Sequence, residues 1–349
     1  MLAKRMDELP SGDAWTFEPK WDGFRTLIFR DHDEILIQSR DSKPLNRYFP
    51  ELLEPIKAQL PLRCVLDGEI VIATDIGLDF EKLQLRVHPA ASRVKMLAQQ
   101  TPASIVFFDL LYTEDQDLRE QPYAMRRERL VSILRDATPP LHITPATSDR
   151  ATASDWFRRF EGAGLDGIIA KNNDLSYQPN KRVMMKIKHE RDCDCVVAGF
   201  RWHKDGEGTA VGSLLLGLYD EAGALNHVGV CASFTKKKRL ELAEYLKPWR
   251  ENARVNHPWA HWASPESADG EQRMPGGQSR WSQGKDLSWE PLRPELVVEV
   301  AYEHMQGARF RHLAHFRRWR SDKPPSECTY GQLEVVAPHE LKEIFAAGR

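Results

Sequence analysis

The β-branched and apolar residues of Thr26–Phe29 and Glu34–Gln38 flank the polar triplet Asp31-His32-Asp33, which predicts two strands joined by a turn. Cys64–Ala73 and Ile105–Tyr112 are apolar runs of strand length. Asp149–Ala163 has helical spacing, with Trp156, Phe157 and Phe160 on one face and Thr152 or Ser154 as expected N-caps. Strands and helices therefore mix from Trp15 to about Arg191 without regular alternation, an α+β layout. Beyond Glu190 the texture changes to short strands between turn signals: Asp194–Arg201, Gly212–Tyr219 and Leu225–Phe234, with Asp220–Gly223 as a hairpin turn. A charged helix is predicted from Thr235 to before Pro248, then strands at Leu296–Tyr302 and Arg309–Trp319. Three strands, a helix and two strands is the order of a five-stranded OB-fold β-barrel. The expected division is a first domain over 1–190 and a barrel domain over 191–349. The barrel domain carries a Gly/Pro/Ser-rich, Trp-dotted insertion near 257–294. For Trp259, Trp262, Trp281 and Trp289 two readings are open: pinning that insertion to the barrel, or stacking on bases.

Bulk properties narrow the class. A length of 349 residues suits two domains at about 150 residues each. A formal charge of −2 offers no global attraction to a polyanion, so any such contact has to be local. Arg309, Arg311, Arg317, Arg318, Arg320 and Lys323 crowd one short segment, opposed within it by Asp322 alone. Five cysteines, of which only Cys193 and Cys195 lie close together, make neither a disulfide framework nor a complete zinc site. The charged N-terminus lacks a signal-peptide pattern and no stretch has membrane-spanning length, so an intracellular protein without a membrane is expected.

The chemistry centres on Lys20-Trp21-Asp22-Gly23-Phe24-Arg25. A lysine amine attacks phosphorus only when unprotonated, so such a role requires neighbouring cations or low dielectric to depress its pKa. Leu66-Asp67-Gly68-Glu69 and Asp166-Gly167-Ile168-Ile169-Ala170-Lys171 supply carboxylates at strand ends. Lys186 and Lys188, two apart on one strand, face the same way and would repel without an anion between them. Taken singly, each segment reads equally well as a hairpin turn, a satisfied strand end or an edge strand.

In order, however, Lys20–Arg25, Ser39-Arg40, Leu66–Glu69, Phe107–Tyr112, Asp166–Lys171, Lys186–Lys188 and Arg320-Ser321-Asp322-Lys323 resemble the successive motifs of ATP-dependent DNA ligases. The resemblance spans nearly the whole chain. It is nearest to the small stand-alone bacterial C-type ligases and to the ligase module of bacterial end-joining polymerase-ligase fusions, all in the covalent nucleotidyltransferase superfamily. It implies an adenylation domain followed by an OB domain. Lys20 would attack the α-phosphate of ATP to form lysyl-AMP. The AMP would pass to the 5′-phosphate of a DNA nick, and the 3′-hydroxyl would displace it.

The same resemblance makes Glu18, Lys20, Arg25, Arg40, Glu69, Phe108, Lys186 and Lys188 nucleotide contacts, with Phe108 stacking on adenine and the two lysines clamping the α-phosphate. Arg25 and Arg40 are alternatively contacts to the nick phosphate. Glu69 and Asp166 would hold Mg²⁺ or Mn²⁺. Asp22, Arg320, Asp322 and Lys323 join the catalytic set, the last three by closure of the second domain toward the pyrophosphate. Asp166 stands where ligases usually have glutamate. Its shorter arm withdraws the carboxylate by about 1.5 Å, a gap that a metal-bound water spans. The expected partners are nicked double-stranded DNA and end-binding or gap-filling repair proteins, and the enzyme is expected to act as a monomer in the bacterial cytosol and nucleoid. RNA guanylyl transfer, RNA ligation and a non-catalytic nucleic-acid-binding module are the alternatives.

Overall fold

The computed structural model describes residues 1–75, 77–260, 288–333 and 341–346. The chain forms two compact units, the first containing Met1–Lys188 and the second His189–Val335.

The first unit contains two principal sheets. One has the strand order Leu2–Arg5, Arg182–Lys188, Gly167–Asn172, Trp15–Pro19. The other runs Leu141–Ile143, Ser104–Thr113, Arg63–Val71, Phe24–Asp31, Glu34–Ser39. Along Phe24–Asp31 burial alternates, with Thr26, Ile28 and Arg30 inward. Ile28, Leu66, Ile70, Ile105 and Phe107 meet Leu52, Ile56, Leu83 and Leu130 in one apolar core. A strand's period of two then places Arg25 on the opposite face, beside Glu69 across the ladder, with Leu27 beside Asp67. Polar chemistry and apolar core are thus sorted by strand parity.

Two sequence expectations change here. The helix following residue 149 spans Arg150–Arg159, and Asp149, in extended backbone, caps it through bonds to the Ala151 and Thr152 amides. Thr152 and Ser154 lie inside the helix. The C-terminal helix Leu341–Ala346 groups with the first unit, although 191–349 was expected to form one domain. Its Leu341 and Ile344 are buried with Trp21, Val71, Phe160 and Leu165, and apolar burial of this kind is what sets its location.

The second unit is a five-stranded antiparallel sheet in the order Leu225–Cys231, Val211–Tyr219, Arg191–Trp202, Glu290–Tyr302, His315–Trp319. The helix Lys236–Tyr245, capped by the Thr235 hydroxyl, adds Leu242 and Ala243 to its core. Trp259 is fully buried there and donates from Nε1 to the Leu225 carbonyl at 2.7 Å, while Trp289 packs on the same core. These two tryptophans take the pinning role; Trp262 and Trp281 lie outside the described residues.

The sheet does not close into a barrel. Among the described residues its two edges share one bridge, Cys231 with Ala314, and no ladder. The cause is local: the segment expected as one strand over Arg309–Trp319 divides. Arg309–Phe310 turns back onto Met305–Gln306, and only His315–Trp319 remains to pair in the sheet.

Candidate active site

Lys20 follows the Trp15–Pro19 strand, and its backbone continues that pairing. Its amide donates to the Gly167 carbonyl at 2.8 Å, and the Asp166 amide donates to the Lys20 carbonyl at 2.9 Å. Reciprocal bonds of this kind fix the two side chains against each other. Lys20 Nζ lies 2.5 Å from Asp166 Oδ2, and Lys188 Nζ lies 3.3 Å from the same oxygen. Lys186 shares the Lys188 face of the Arg182–Lys188 strand by its two-residue spacing. The anion that this lysine pair requires is therefore partly supplied by the buried Asp166.

Two glycines permit this geometry. A Cβ at Gly167, where φ is +131°, would stand 2.0 Å from the Ile187 carbonyl oxygen. A Cβ at Gly23 would stand 2.2 Å from the Ile70 carbonyl oxygen, so the turn after Lys20 can approach the Glu69 strand only as glycine. Trp21 is buried, donates from Nε1 to Thr144 Oγ1 at 2.8 Å, and stacks on Phe345 at 5.4 Å.

The electrostatics of Lys20 differ from the sequence expectation. Burial pushes its pKa down, but the charge and hydrogen bond of Asp166, with Glu69 and Asp22 further off, outweigh it and hold the ammonium above the ordinary lysine value. The resting lysine is protonated, whereas a depressed pKa was expected from neighbouring cations. A carboxylate in direct contact decides the sign.

Glu69 is also shifted upward, but for a carboxyl this favours the neutral form. Although it is half-buried over its whole surface, the crowding around its carboxyl removes it from water, and this raises its pKa to about 8 against the pull of Lys20 and Arg25. Asp67, one turn of the pleat away, is opposite in character. It is almost fully buried, and Arg25 engages it through Nε at 3.0 Å and Nη2 at 2.6 Å, while the Tyr177 hydroxyl donates at 2.9 Å. Burial would raise Asp67, but Arg25 and Tyr177 hold it below the usual carboxylate range. Arg25 is thereby committed to Asp67 and also donates to the Met1 carbonyl.

Phe108 reaches the polar face through a β-bulge. Phe107 pairs with Gly68 and Asp109 with Asp67, so Phe108 is the extra residue between them. Arg25 lies 5.6 Å from its ring centroid and Lys171 Nζ 4.8 Å. Lys171 also binds Glu18 Oε2 at 2.7 Å and donates to the Phe108 carbonyl at 3.0 Å, and Tyr123 donates its hydroxyl to Glu18. Glu18 and Lys171 are both nearly inaccessible, so this is a sealed polar network beneath the Phe108 backbone.

Arg40 is exposed, with Asp41 3.8 Å away as its ion-pair partner. It shares with Arg25, Asp67, Tyr177 and Arg119 the lining of a cavity of about 460 Å³, which does not include Lys20, Asp166 or Lys188. The candidate site is the lysine and carboxylate cluster rather than this cavity, because interacting ionisable groups and not volume mark such a site. Arg320, Asp322 and Lys323 belong to the second unit. Arg320 grips Asp322 through Nε at 2.9 Å and Nη2 at 2.8 Å, and both Arg320 and Lys323 bind Asp194.

Residues 1–188 match the ATP dependent DNA ligase domain, and residues 207–323 match the ATP dependent DNA ligase C terminal region. The chain belongs to the ATP-dependent DNA ligases. It is 54% identical over 340 residues to DNA ligase C2 of Mycolicibacterium smegmatis, a match covering 97% of this chain and 94% of that one. It is 55% identical over 350 residues to DNA ligase C of Mycobacterium tuberculosis, covering 99% and 96%. A solved structure from a structure-function analysis of Lig E DNA ligases superposes with a TM-score of 0.53 at 15% identity, covering 92% of this chain and all of that one, which speaks to fold alone.

This ligase therefore has a nucleotidyltransferase unit followed by a unit built on an open five-stranded sheet. Sequence reasoning did not single out Asp67 and Tyr177, which line the cavity, Lys171, which holds Glu18, or Asp194, which binds Arg320 and Lys323 in the second unit. Asp67 and Lys171 sit inside quoted motifs and were legible there. Tyr177 and Asp194 meet partners 110 and 126 positions away, a distance at which no local pattern operates.

Proposed function

We propose that the enzyme seals nicks carrying 5′-phosphate and 3′-hydroxyl ends through a Lys20-AMP intermediate. The observation carrying this reading is Lys20 Nζ held at 2.5 Å from Asp166 Oδ2, with Lys188 on the same oxygen. Lys20 forms a bond to the α-phosphorus of ATP as the bond to pyrophosphate breaks. The ammonium first gives up a proton, and the Asp166 carboxylate in contact with Nζ is the adjacent acceptor. Lys186 and Lys188 carry the charge that develops on the phosphoryl oxygens. Phe108, raised by its bulge, offers a ring face for adenine. Arg25 and Arg40, on one cavity wall, serve the phosphate of the nick.

Glu69 and Asp166 fit a divalent ion of the Mg²⁺ or Mn²⁺ class. They are oxygen donors around one lysine, and a carboxyl raised to about 8 is a group whose negative charge lacks sufficient compensation. When bound, the ion would neutralise phosphate charge. Repair of broken DNA, with end-binding or gap-filling proteins as partners, is the setting that fits two relatives: the multifunctional non-homologous end joining proteins of Mycobacterium tuberculosis and Mycobacterium bovis, each 28% identical over 315 residues.

Intact-mass analysis after incubation with ATP and Mg²⁺ tests the central step. The expected result is one AMP-sized increment mapping to Lys20, absent in Lys20→Ala. An increment from GTP alone, or one that persists in Lys20→Ala, overturns the reading.

A further inference from the structure

Arg320 and Lys323 converge on a single oxygen. Arg320 Nη1 lies 3.1 Å and Lys323 Nζ 2.8 Å from Asp194 Oδ2. Asp194 is 7% exposed, and its backbone is clamped from both sides by the Gln332 side chain, which accepts from the Asp194 amide at 2.8 Å and donates to its carbonyl at 2.9 Å. The carboxylate is thus a rigid fixture rather than a mobile surface group.

Its strand neighbour makes the arrangement more specific. Asp194 stands directly opposite Glu299, and Glu299 lies opposite Arg318 on the next strand. Like charges on directly paired positions repel. They are tolerated here because Arg320 Nη1 reaches both carboxylates, at 3.1 Å and 3.4 Å, while Arg318 Nη2 binds Glu299 at 2.8 Å. The reverse dependence holds as well. An ammonium and a guanidinium would separate without an anion between them, and Asp194 Oδ2 is that anion.

We propose that Asp194 is a positioning residue for ATP-dependent self-adenylation. It holds Arg320 and Lys323 as a converged, preorganised pair for the pyrophosphate end of ATP. The inference rests on the reading that these two cations serve the pyrophosphate. Asp194 itself contacts neither nucleotide nor nick, and its effect passes entirely through the geometry of the pair. Sealing of a nick that already carries AMP releases no pyrophosphate, so that step does not depend on it.

The test compares Asp194→Asn, Asp194→Glu, Arg320→Ala and Lys323→Ala with the wild-type full chain. Single-turnover self-adenylation is followed across ATP concentrations, alongside sealing of a pre-adenylated nick. Asp194→Asn keeps the shape of the side chain but loses its charge. It is expected to slow self-adenylation by about tenfold, equivalent to about 1.4 kcal/mol on the barrier, with sealing of the pre-adenylated nick within about twofold of wild type. Asp194→Glu, which restores the charge, is expected to recover most of the rate. Normal self-adenylation by Asp194→Asn beside slow Arg320→Ala and Lys323→Ala would overturn the inference. So would an equal loss of both steps in Asp194→Asn and Asp194→Glu, the signature of a merely structural role. Normal self-adenylation by Arg320→Ala and Lys323→Ala would instead overturn the underlying reading of the two cations.

Discussion

At the scale of single residues, the site is governed by which carboxylates are paired. Lys20, raised by Asp166, contributes its pairing energy fully below the ordinary lysine pKa, and that contribution is lost only as pH rises through the elevated folded value. Near neutrality Lys20 of the ligand-free protein is therefore an ammonium. Glu69 has linkage of the same sign in a lower pH window. Its folded carboxyl, raised from 4.5 to about 8, keeps a proton that the unfolded chain releases, so stability falls as pH rises between those values and levels off above about 8. Glu69→Gln should remove that slope. Thermal melts of the ligand-free protein are expected to show a stability advantage of Glu69→Gln over wild type that is small near pH 4.5 and grows to a plateau above about pH 8. Parallel melting curves across that range would contradict the assignment.

The positions of Lys20, Glu69, Asp166, Lys186 and Lys188 were legible in the sequence because each lies in a compact local pattern. Their charge states were not. The sign at Lys20 depends on an oxygen 146 positions away along the chain. The cationic run from Arg309 to Lys323 misleads for the same reason. Glu190 and Asp192 bind Arg317, Glu299 binds Arg318, and Asp194 binds Arg320 and Lys323, so much of the apparent excess is compensated by distant carboxylates.

At the scale of elements, parity and close backbone approach do most of the positioning. The strands of the first unit were readable from apolar runs bounded by turn residues, and their inward and outward faces follow from a period of two. The bulge that lifts Phe108 was not readable, because Phe107-Phe108 looks like an uninterrupted buried run. Gly167 is the position where element geometry and chemistry meet. With φ at +131° and a prospective Cβ 2.0 Å from the Ile187 carbonyl, Gly167→Ala must open the pairing between Gly167–Asn172 and Arg182–Lys188. The expected cost is about 1–3 kcal/mol from backbone strain alone, read as a lower denaturation midpoint. Self-adenylation should fall with it, since the adjacent Asp166 holds Lys20. A midpoint equal to wild type would show that the strand can accommodate the methyl.

At the scale of the whole molecule, the division into two units was visible as a change of texture near residue 190, but the destination of the C-terminal helix was not. Leu341–Ala346 is too short to show a decisive periodicity, and its partners Trp21, Val71 and Leu165 are spread over the first half of the chain. A chain ending at Lys188 would expose that apolar surface, including the face of Trp21 that stacks on Phe345. Residues 1–188 produced alone are expected to melt lower than the first unit of the full chain and to self-adenylate slowly. A synthetic peptide carrying Leu341–Ala346, added in excess, should raise both properties. A peptide without effect on either would argue that the helix is dispensable.

The return of this helix also bears on inheritance. The first unit is discontinuous in the gene, since its final element is encoded beyond the second unit. A recombination that exchanged everything after residue 188 between two ligases would also replace the cover over Trp21, the residue that follows Lys20. An exchange that kept residues 1–188 and 341–346 together would preserve that cover, whereas one made at residue 188 would not.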